Sequence, residues 1–407
     1  MNTLSFHSNK VSDYENGKIL IEDFRFYQHE LIEYFLSTIV EYISNKNNNF
    51  LSVSKIVKKE CVVYSGLQNN ELDLYSVFVF IDGVEHLFFK IYMPRLIYNN
   101  FYILNGHYYV PLFYIIDKPI IIKENSINLS SLFSSITLNI KEEMVTFIGH
   151  NIVLNNFIQL FLKNDQSNVV NDIYNRLSIK NMPERDLILY FNNIFNKTFS
   201  DIDSIINHIE MLFFDEYTKY LYSSCYSDND IEICSIKEIV KLSLSMFFTG
   251  KRFNFIDLNT KRLCFIELLL APLFKKAANI AYQSSKGYKP IEIKVDQYII
   301  TKNFLKSSEK NSKKPKNQKE IGSFAGLSGK TLYDLVNLYS SILIHKCSFV
   351  KPGMNSPPPE IKNVHFTHFG KICPITVSSQ DPGKTLSIIP ETLVDIFGQF
   401  QNLEEGH

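Results

Sequence analysis

Val364-His365-Phe366-Thr367-His368-Phe369-Gly370-Lys371-Ile372-Cys373-Pro374-Ile375 is the densest stretch of chemically distinctive residues in this chain of 407. Gly370 and Pro374 interrupt both helical and extended patterns, so the segment reads as a tight, irregular turn. His365 and His368 stand three residues apart with Cys373 close behind, which hints at a metal site. A closed zinc site needs one more ligand, and hydrogen-bonded structural histidines are the more ordinary reading. Upstream, Gly353 and the run Pro357-Pro358-Pro359 mark a further irregular segment.

Working outward, the composition is that of a globular chain, with 45% hydrophobic and 21% charged residues. The length suggests two or three domains. Tyr108–Lys123, the best candidate for a membrane span, is interrupted by Asp117, Lys118 and Pro119. The N-terminus lacks an apolar signal region. There is no Trp, so 33 Phe and 23 Tyr supply the aromatic mass, and Asn, Ile, Lys, Tyr and Phe together point to AT-rich coding. The six cysteines form no CxxC pair and read as reduced cytosolic thiols. The 42 basic and 42 acidic residues cancel, which argues against a nucleic-acid binder only if charge is evenly spread. It is not: residues 1–250 carry 20 basic against 29 acidic residues, and residues 251–407 carry 22 against 13. Lys306–Lys319, with six lysines and one glutamate, explains part of that excess as a solvated loop.

Apolar residues at helical spacing predict a helix from Tyr27 to Ile43. Short runs rich in Val, Ile, Tyr and Phe predict strands at Cys61–Tyr64, Leu74–Ile81, Leu87–Tyr92, Phe101–Leu104 and Tyr108–Ile116. Asp82-Gly83 and Asn105-Gly106 suit two-residue hairpins, because a type I′ turn needs positive φ at both central positions. From about Asn151 to Phe248 the pattern is helical, and further helices are expected at Leu263–Tyr282, where Pro272 marks a kink or break, and at Thr331–Lys346. The fold class is therefore α+β. Gly329-Lys330-Thr331 and Gly383-Lys384-Thr385 fail as P-loops, since the opening glycine would have to stand at Phe324 or Ser378. No HExxH, GxSxG or Ser/His/Asp set offers an alternative chemistry.

The stretch Val364–Ile375 resembles the vHpThyGRiCPIeTPEGpn motif of multisubunit RNA polymerase beta subunits, matching at Val364, His365, Thr367, His368, Gly370, Cys373, Pro374 and Ile375. Three further stretches resemble the same family in the same order. Asn105-Gly106, followed by Pro119, is similar to its NG…RSP segment. Asp257–Leu263 with Glu267-Leu268-Leu269 and Leu273-Phe274-Lys275 is similar to D-x-x-GNKRL…LL…LFR. Gly322-Ser323 through Leu327-Ser328, with Asp334, Asn337, Ser341 and His345-Lys346, is similar to the wall of the rifampicin pocket. Ile396–Phe400 resembles the segment that follows the CPI motif. About 125–245 matches nothing in the family, whose most variable domain lies there.

The resemblance implies the N-terminal half of a split beta subunit, of the kind found in jumbo bacteriophages. Its multidomain architecture would comprise a protrusion (1–120 and 251–335), an inserted helical lobe (121–250) and the first part of a fork (336–407). The reaction it implies is DNA-directed nucleotidyl transfer, with Mg²⁺ held by a DFDGD motif that lies in beta-prime and not in this chain. The isolated chain would then be inactive. Implied partners are the C-terminal half of beta, both parts of beta-prime, a promoter-specificity subunit, template DNA and product RNA, in the host cytoplasm with no membrane. Lys261, Arg262, His345, Lys346, Lys371 and Lys384 would neutralise phosphates along the cleft wall. Against each stands the plain alternative of a solvated surface cation. Asp334 and Asn337 would orient neighbours in the pocket wall. Two departures bear on function. Thr376–Lys384 replaces ETPEGPN with a longer, loosely similar loop, so the family's contacts to RNA and the acceptor nucleotide there do not carry over, and the prolines of Lys351–Lys362, with Cys347 in place of a basic residue after His345-Lys346, imply loss of rifampicin binding. The alternative class is a non-enzymatic phage interaction or scaffold protein derived from a beta-subunit fragment.

Overall fold

A computed structural model describes residues 18–47, 52–65, 68–81, 83–97, 101–104, 106–163, 165–226, 235–250, 254–285, 324–326, 345–350, 359–375 and 386–401. Asp334, Asn337, Lys384, the lysine-rich loop and both GKT triplets lie outside the described residues. The chain opens with β1 (Ile19–Leu20) and α1 (Ile21–Asn47), then β2 (Ser52–Ser65), β3 (Gln68–Ile81), β4 (Val84–Pro94), β5 (Tyr102–Leu104) and β6 (His107–Asp117). The expected helix and four of the five expected strands lie inside these elements; the fifth, Phe101–Leu104, starts one residue before β5. Gly83 and Gly106 take φ of 80° and 72° in the predicted turns, a region that glycine enters without steric cost.

β2, β3 and β4 form an antiparallel meander with a bulge on each ladder. β3 alternates from Asp73 onward, with Asp73, Tyr75, Val77 and Val79 buried and the residues between them less so. The helix α1 buries Phe24, Leu31, Ile32, Phe35, Leu36, Ile39, Val40 and Ile43 on one stripe. With no Trp available, ring-on-ring packing of Phe35 against Tyr217 and Phe274 (centroids 5.0 and 5.6 Å) fills the space between helices.

After β6 comes a second sheet that the sequence reading passes over. β7 (Ile120–Ile122), β8 (Ser126–Ser130), β9 (Ser135–Asn139), β10 (Met144–Phe147) and β11 (His150–Val153) pair in consecutive antiparallel order. The segment 121–250 is therefore not purely helical; its first quarter is a sheet. The alternation was present in the residues: Ile127 and Leu129, Ile136 and Leu138, Val145 and Phe147 are each fully buried. Six helices follow, α2 (Leu154–Leu162), α3 (Asn168–Arg176), α4 (Glu184–Phe195), α5 (Ile202–Phe213), α6 (Glu216–Tyr226) and α7 (Ile236–Phe248), as the periodicity predicts. Capping boxes at Asp201 with Ser204, and at Ser235 with Glu238, start α5 and α7.

β12 (Lys261–Cys264), α8 (Ile266–Ser285), β13 (Phe324–Gly326), β14 (Lys346–Ser348), β15 (Leu386–Ser387) and β16 (Leu393–Val394) complete the described elements. α8 starts after the residues that join the sheet and carries Pro272 within it, so the proline ends nothing. The helix expected at Thr331–Lys346 does not reach its predicted end. His345 is extended and Lys346 already belongs to β14, because Lys346, Cys347 and Ser348 pair in parallel with Leu112, Phe113 and Tyr114; residues 331–344 lie outside the described part. Among the described residues no helix is long and apolar enough to cross a membrane.

The last described segment returns to the centre. Leu263 N–H donates to the Gly398 carbonyl at 2.7 Å, and Gly398 has φ of 83°. A Cβ at position 398 would run into the Leu263 carbonyl, so both conformation and space demand glycine. Replacing Gly398 with Ala is expected to destabilise the fold by roughly 3 kcal/mol or more, combining left-handed strain with overpacking. Urea-unfolding midpoints of the two proteins would measure it, and an unchanged midpoint would refute the close approach.

Candidate functional site

Three of the four sequence stretches that resemble the beta family meet on one strand, and the fourth is hydrogen-bonded to segments beside it. β6 follows Asn105-Gly106 and pairs with β5 on one side through Tyr102↔Tyr109. It takes β12 antiparallel, with Lys261 opposite Asp117 and Cys264 opposite Tyr114. It also pairs with β13 at Pro111–Tyr109 and with β14 in parallel at Leu112–Tyr114. β14 continues into β15, and Cys373 N–H donates to the Ser387 carbonyl at 2.9 Å. The turn at Val364–Ile375 is pinned to the loop before β12: Leu258 N–H donates to Thr367 Oγ1 at 3.0 Å, and His368 Nε2 donates to the Ile256 carbonyl at 2.8 Å.

The individual cations sit differently from a lining of exposed lysines. Lys261 is 2% exposed; its ammonium pairs with Asp117 and stands 4.9 Å from the Phe255 ring centroid. Arg262 is 5% exposed and grips Glu267 in a two-pronged ion pair at 2.7 and 2.5 Å, with the Phe397 carbonyl at 3.4 Å. Tyr217 O–H from α6 donates to the same carboxylate. Burial opposes both charges, yet the opposite charge of each partner outweighs it. Glu267 is held below the usual carboxylate range and Arg262 well above its ordinary value. These two cations serve as internal ties of the sheet to α8 and α6.

His345 is also inside, 1% exposed, with Nδ1 accepting from Arg25 Nη2 at 2.5 Å. Burial and the Arg25 charge push its pKa down to about 3, so the ring is neutral at physiological pH and carries no charge to a phosphate. Lys346 is half-buried and donates to Ser387 Oγ at 2.9 Å; burial lowers its pKa. Lys371 is buried and likewise lowered by burial, against the pull of Asp257.

The two histidines of the turn are structural. His365 Nδ1 accepts from Thr367 N–H at 3.4 Å and caps the short 3-10 turn Phe366–His368. Among the described residues no group of three or more His, Cys, Asp or Glu could hold a metal ion. Residues that sequence reading missed are the acceptors: Asp117, Glu267 and, at the C-terminal return, Asp395. Asp395 accepts from Ser224 Oγ at 2.7 Å and from the Phe397 and Gln399 amides at 2.9 and 2.8 Å. Glu267 stood five residues after Arg262 in the quoted segment, but its third partner, Tyr217, is visible only in three dimensions.

No protein-family model matches the chain, and no curated protein matches it.

Arg262→Met is expected to cost about 3–5 kcal/mol by stranding the Glu267 carboxylate in the core. The double variant Arg262→Met/Glu267→Leu should recover most of that loss. Chemical denaturation of the single and double variants measures the difference, and a double variant as unstable as the single one would contradict the account.

A second test concerns Asp215, the residue before α6, which accepts from Thr218 N–H and Oγ1 at 2.8 and 2.6 Å. Burial first, and the nearby Glu267 charge, raise its pKa from 3.8 to about 6. The folded state therefore holds this proton more tightly than the unfolded chain. Its stabilising effect is complete below about pH 4 and is lost as pH rises through about 6, amounting to roughly 3 kcal/mol at most. Asp215→Asn should remove that pH dependence. Unfolding free energies at several pH values between 4 and 7.5 would show a flatter profile for the variant, and parallel profiles would exclude Asp215 as the titrating group.

Proposed function

We propose that this chain is the N-terminal part of a split beta subunit of a multisubunit DNA-directed RNA polymerase, of the jumbo-bacteriophage type, forming one wall of the DNA/RNA cleft. The observation that supports the reading most is that three separately matched stretches pair on β6 and the fourth, Val364–Ile375, is hydrogen-bonded to the segments beside it. Residues 106–117, 256–264, 324–326, 345–348, 364–375 and 386–400 are scattered along the chain, yet they share strand pairs or direct hydrogen bonds. A chance scatter of motif-like words carries no reason to assemble around one strand.

On this reading nucleotidyl transfer is chemistry of the assembled enzyme: the RNA 3′-hydroxyl attacks the α-phosphate of a nucleoside triphosphate, with Mg²⁺ held by aspartates of the beta-prime part. This chain supplies architecture and phosphate neutralisation. Lys346 and Lys384 are the cations through which it would meet DNA or RNA, and Lys371, which is buried, stands behind them. Lys261, Arg262 and His345 act behind them by holding β12 and β14 in place. Asp334 and Asn337 retain their proposed role in orienting a pocket wall. The partners are the C-terminal half of beta, both parts of beta-prime and a promoter-specificity subunit, in the host cytoplasm.

The inward burial of Lys261, Arg262 and His345 favours one competing reading, a non-enzymatic phage scaffold or interaction protein built on a beta-subunit fragment. Co-purification from the native source separates the two. The polymerase reading expects this chain to co-elute with a DFDGD-bearing polypeptide and with template-directed nucleotide incorporation, and expects no incorporation from the isolated chain. Elution without any such polypeptide would leave the scaffold reading standing.

A further inference from the structure

The meander of β2, β3 and β4 has two faces of different chemistry. On β3, Asp73, Tyr75, Val77 and Val79 are buried, whereas Leu74, Ser76, Phe78 and Phe80 between them keep part of their surface in the open. Residues paired across an antiparallel ladder lie on the same face, so the register assigns the rest of this outer face. Lys59, Val57 and Lys55 of β2 stand opposite Leu74, Ser76 and Phe78. Tyr92, Lys90, Leu87 and Glu85 of β4 stand opposite Leu74, Ser76, Phe78 and Phe80. Three rings, Phe78, Phe80 and Tyr92, therefore share one face with three lysines. Val57, Phe80 and Leu87 on it are 42%, 42% and 46% exposed.

The charges on this face do not balance. Lys55 pairs with Glu85 at 2.8 Å, and its ammonium stands 5.0 Å from the Phe78 ring centroid. Among the described residues neither Lys59 nor Lys90 has a carboxylate partner. The carboxylates at the margin are already engaged: Asp73 with Lys58 at 3.1 Å, and Glu60 and Glu71 with Arg95. An apolar protein surface would cover Val57, Phe80 and Leu87 only by burying two ammonium groups without a counter-charge. Interface cores are depleted in lysine for that reason. A single-stranded polynucleotide satisfies both kinds of group, because its bases stack on exposed rings while its phosphates meet the lysines. A duplex keeps its base faces inside its own stack and offers the rings nothing. Beyond Ser76 and Glu85, this face consists of rings, aliphatic chains and lysines. Such groups meet base faces and phosphates without reading base edges or a sugar hydroxyl.

We infer that the outer face of the β2–β3–β4 meander binds single-stranded nucleic acid, DNA and RNA alike, with bases stacked on Phe80 and Tyr92 and phosphates held by Lys59 and Lys90. None of the four family-like stretches lies in this meander, so the inference stands apart from the polymerase reading.

The test measures fluorescence anisotropy of short labelled oligo(dT) and oligo(rU) with the full chain, over a range of salt concentrations. Equal binding of the two strands is expected, and unlabelled duplex should not displace them. Lys59→Gln/Lys90→Gln should weaken binding and lower the slope of log affinity against log salt by about 1.4, since each lost phosphate contact to a single strand removes about 0.7. Phe80→Ala/Tyr92→Ala should weaken binding by about tenfold or more and leave that slope unchanged. Because other cations of the chain also attract polyanions, an oligo(dT) carrying 4-thiothymidine is photo-crosslinked and the peptides are mapped by mass spectrometry. The crosslinks are expected within residues 52–94. If the ring variant misfolds, the lysine variant and the crosslinks decide. Absence of binding, unchanged affinity in both variants, equal competition by duplex, binding of one sugar type only, or crosslinks confined to other segments would overturn the inference. All of these measurements use the isolated chain, so their failure leaves the polymerase reading standing, and failed co-purification leaves this surface standing.

Discussion

The constraint on which the structure depends is that one strand, His107–Asp117, must satisfy neighbours drawn from distant parts of the chain. Its residues 109–115 are all buried, and its backbone groups are shared among β5, β12, β13 and β14. A central strand of this kind cannot be completed locally, because the backbone donors and acceptors of a buried strand need partners throughout. Segments separated by more than two hundred residues are therefore brought to it. The insertion of a five-stranded sheet and six helices between β6 and β12 leaves that meeting undisturbed. Insertions of this size are tolerated because loop-closure cost grows only slowly with loop length.

The same constraint explains where the basic residues went. Bringing Lys261 and Arg262 into the strand beside β6 removes their charges from water, a cost that only a matched acceptor can offset. Asp117 and Glu267 supply those acceptors, and Tyr217 and the Phe397 carbonyl complete the second site. Arg25 and His345 meet in the same interior, where burial and the Arg25 charge keep the histidine neutral although Glu22 stands 3.6 Å from its other ring nitrogen. Among the described residues, the cations of 251–407 thus divide into ones that hold the fold together and ones closer to its surface. Sequence spacing treats the two kinds alike.

Much of the local structure could be read in advance. The apolar stripe of Tyr27–Ile43, the glycine turns at Gly83 and Gly106, and the helical run after Asn151 follow from periodicity and turn chemistry. These act over a few residues. Two misreadings have physical causes. The strands between Ser126 and Val153 are four or five residues long and flanked by polar residues, so their alternation is brief and easily passed over. At His345-Lys346-Cys347 a helical pattern gave way to extended backbone, because pairing with Leu112–Tyr114 outweighs a modest local preference. The turn at Val364–Ile375 was conspicuous by its residues, but its two faces were not. Its histidines, which suggested a metal, make hydrogen bonds, while Val364, Phe366, Phe369 and Ile375 are exposed and Ile372 and Cys373 are buried.

By itself, the sequence determined the α+β class, the positions of the long helices and strands, and the four stretches that carry the family resemblance. These depend on interactions between residues near each other along the chain. Only the tertiary structure decided that three of those stretches share β6 and the fourth is tied beside them, that Arg262 belongs to Glu267 and Tyr217, that Gly398 must lack a side chain, and that Phe366 and Phe369 are exposed. Each of these depends on which distant atoms occupy the neighbouring space, and burial, ion pairing and steric exclusion are set by that neighbourhood rather than by residue type.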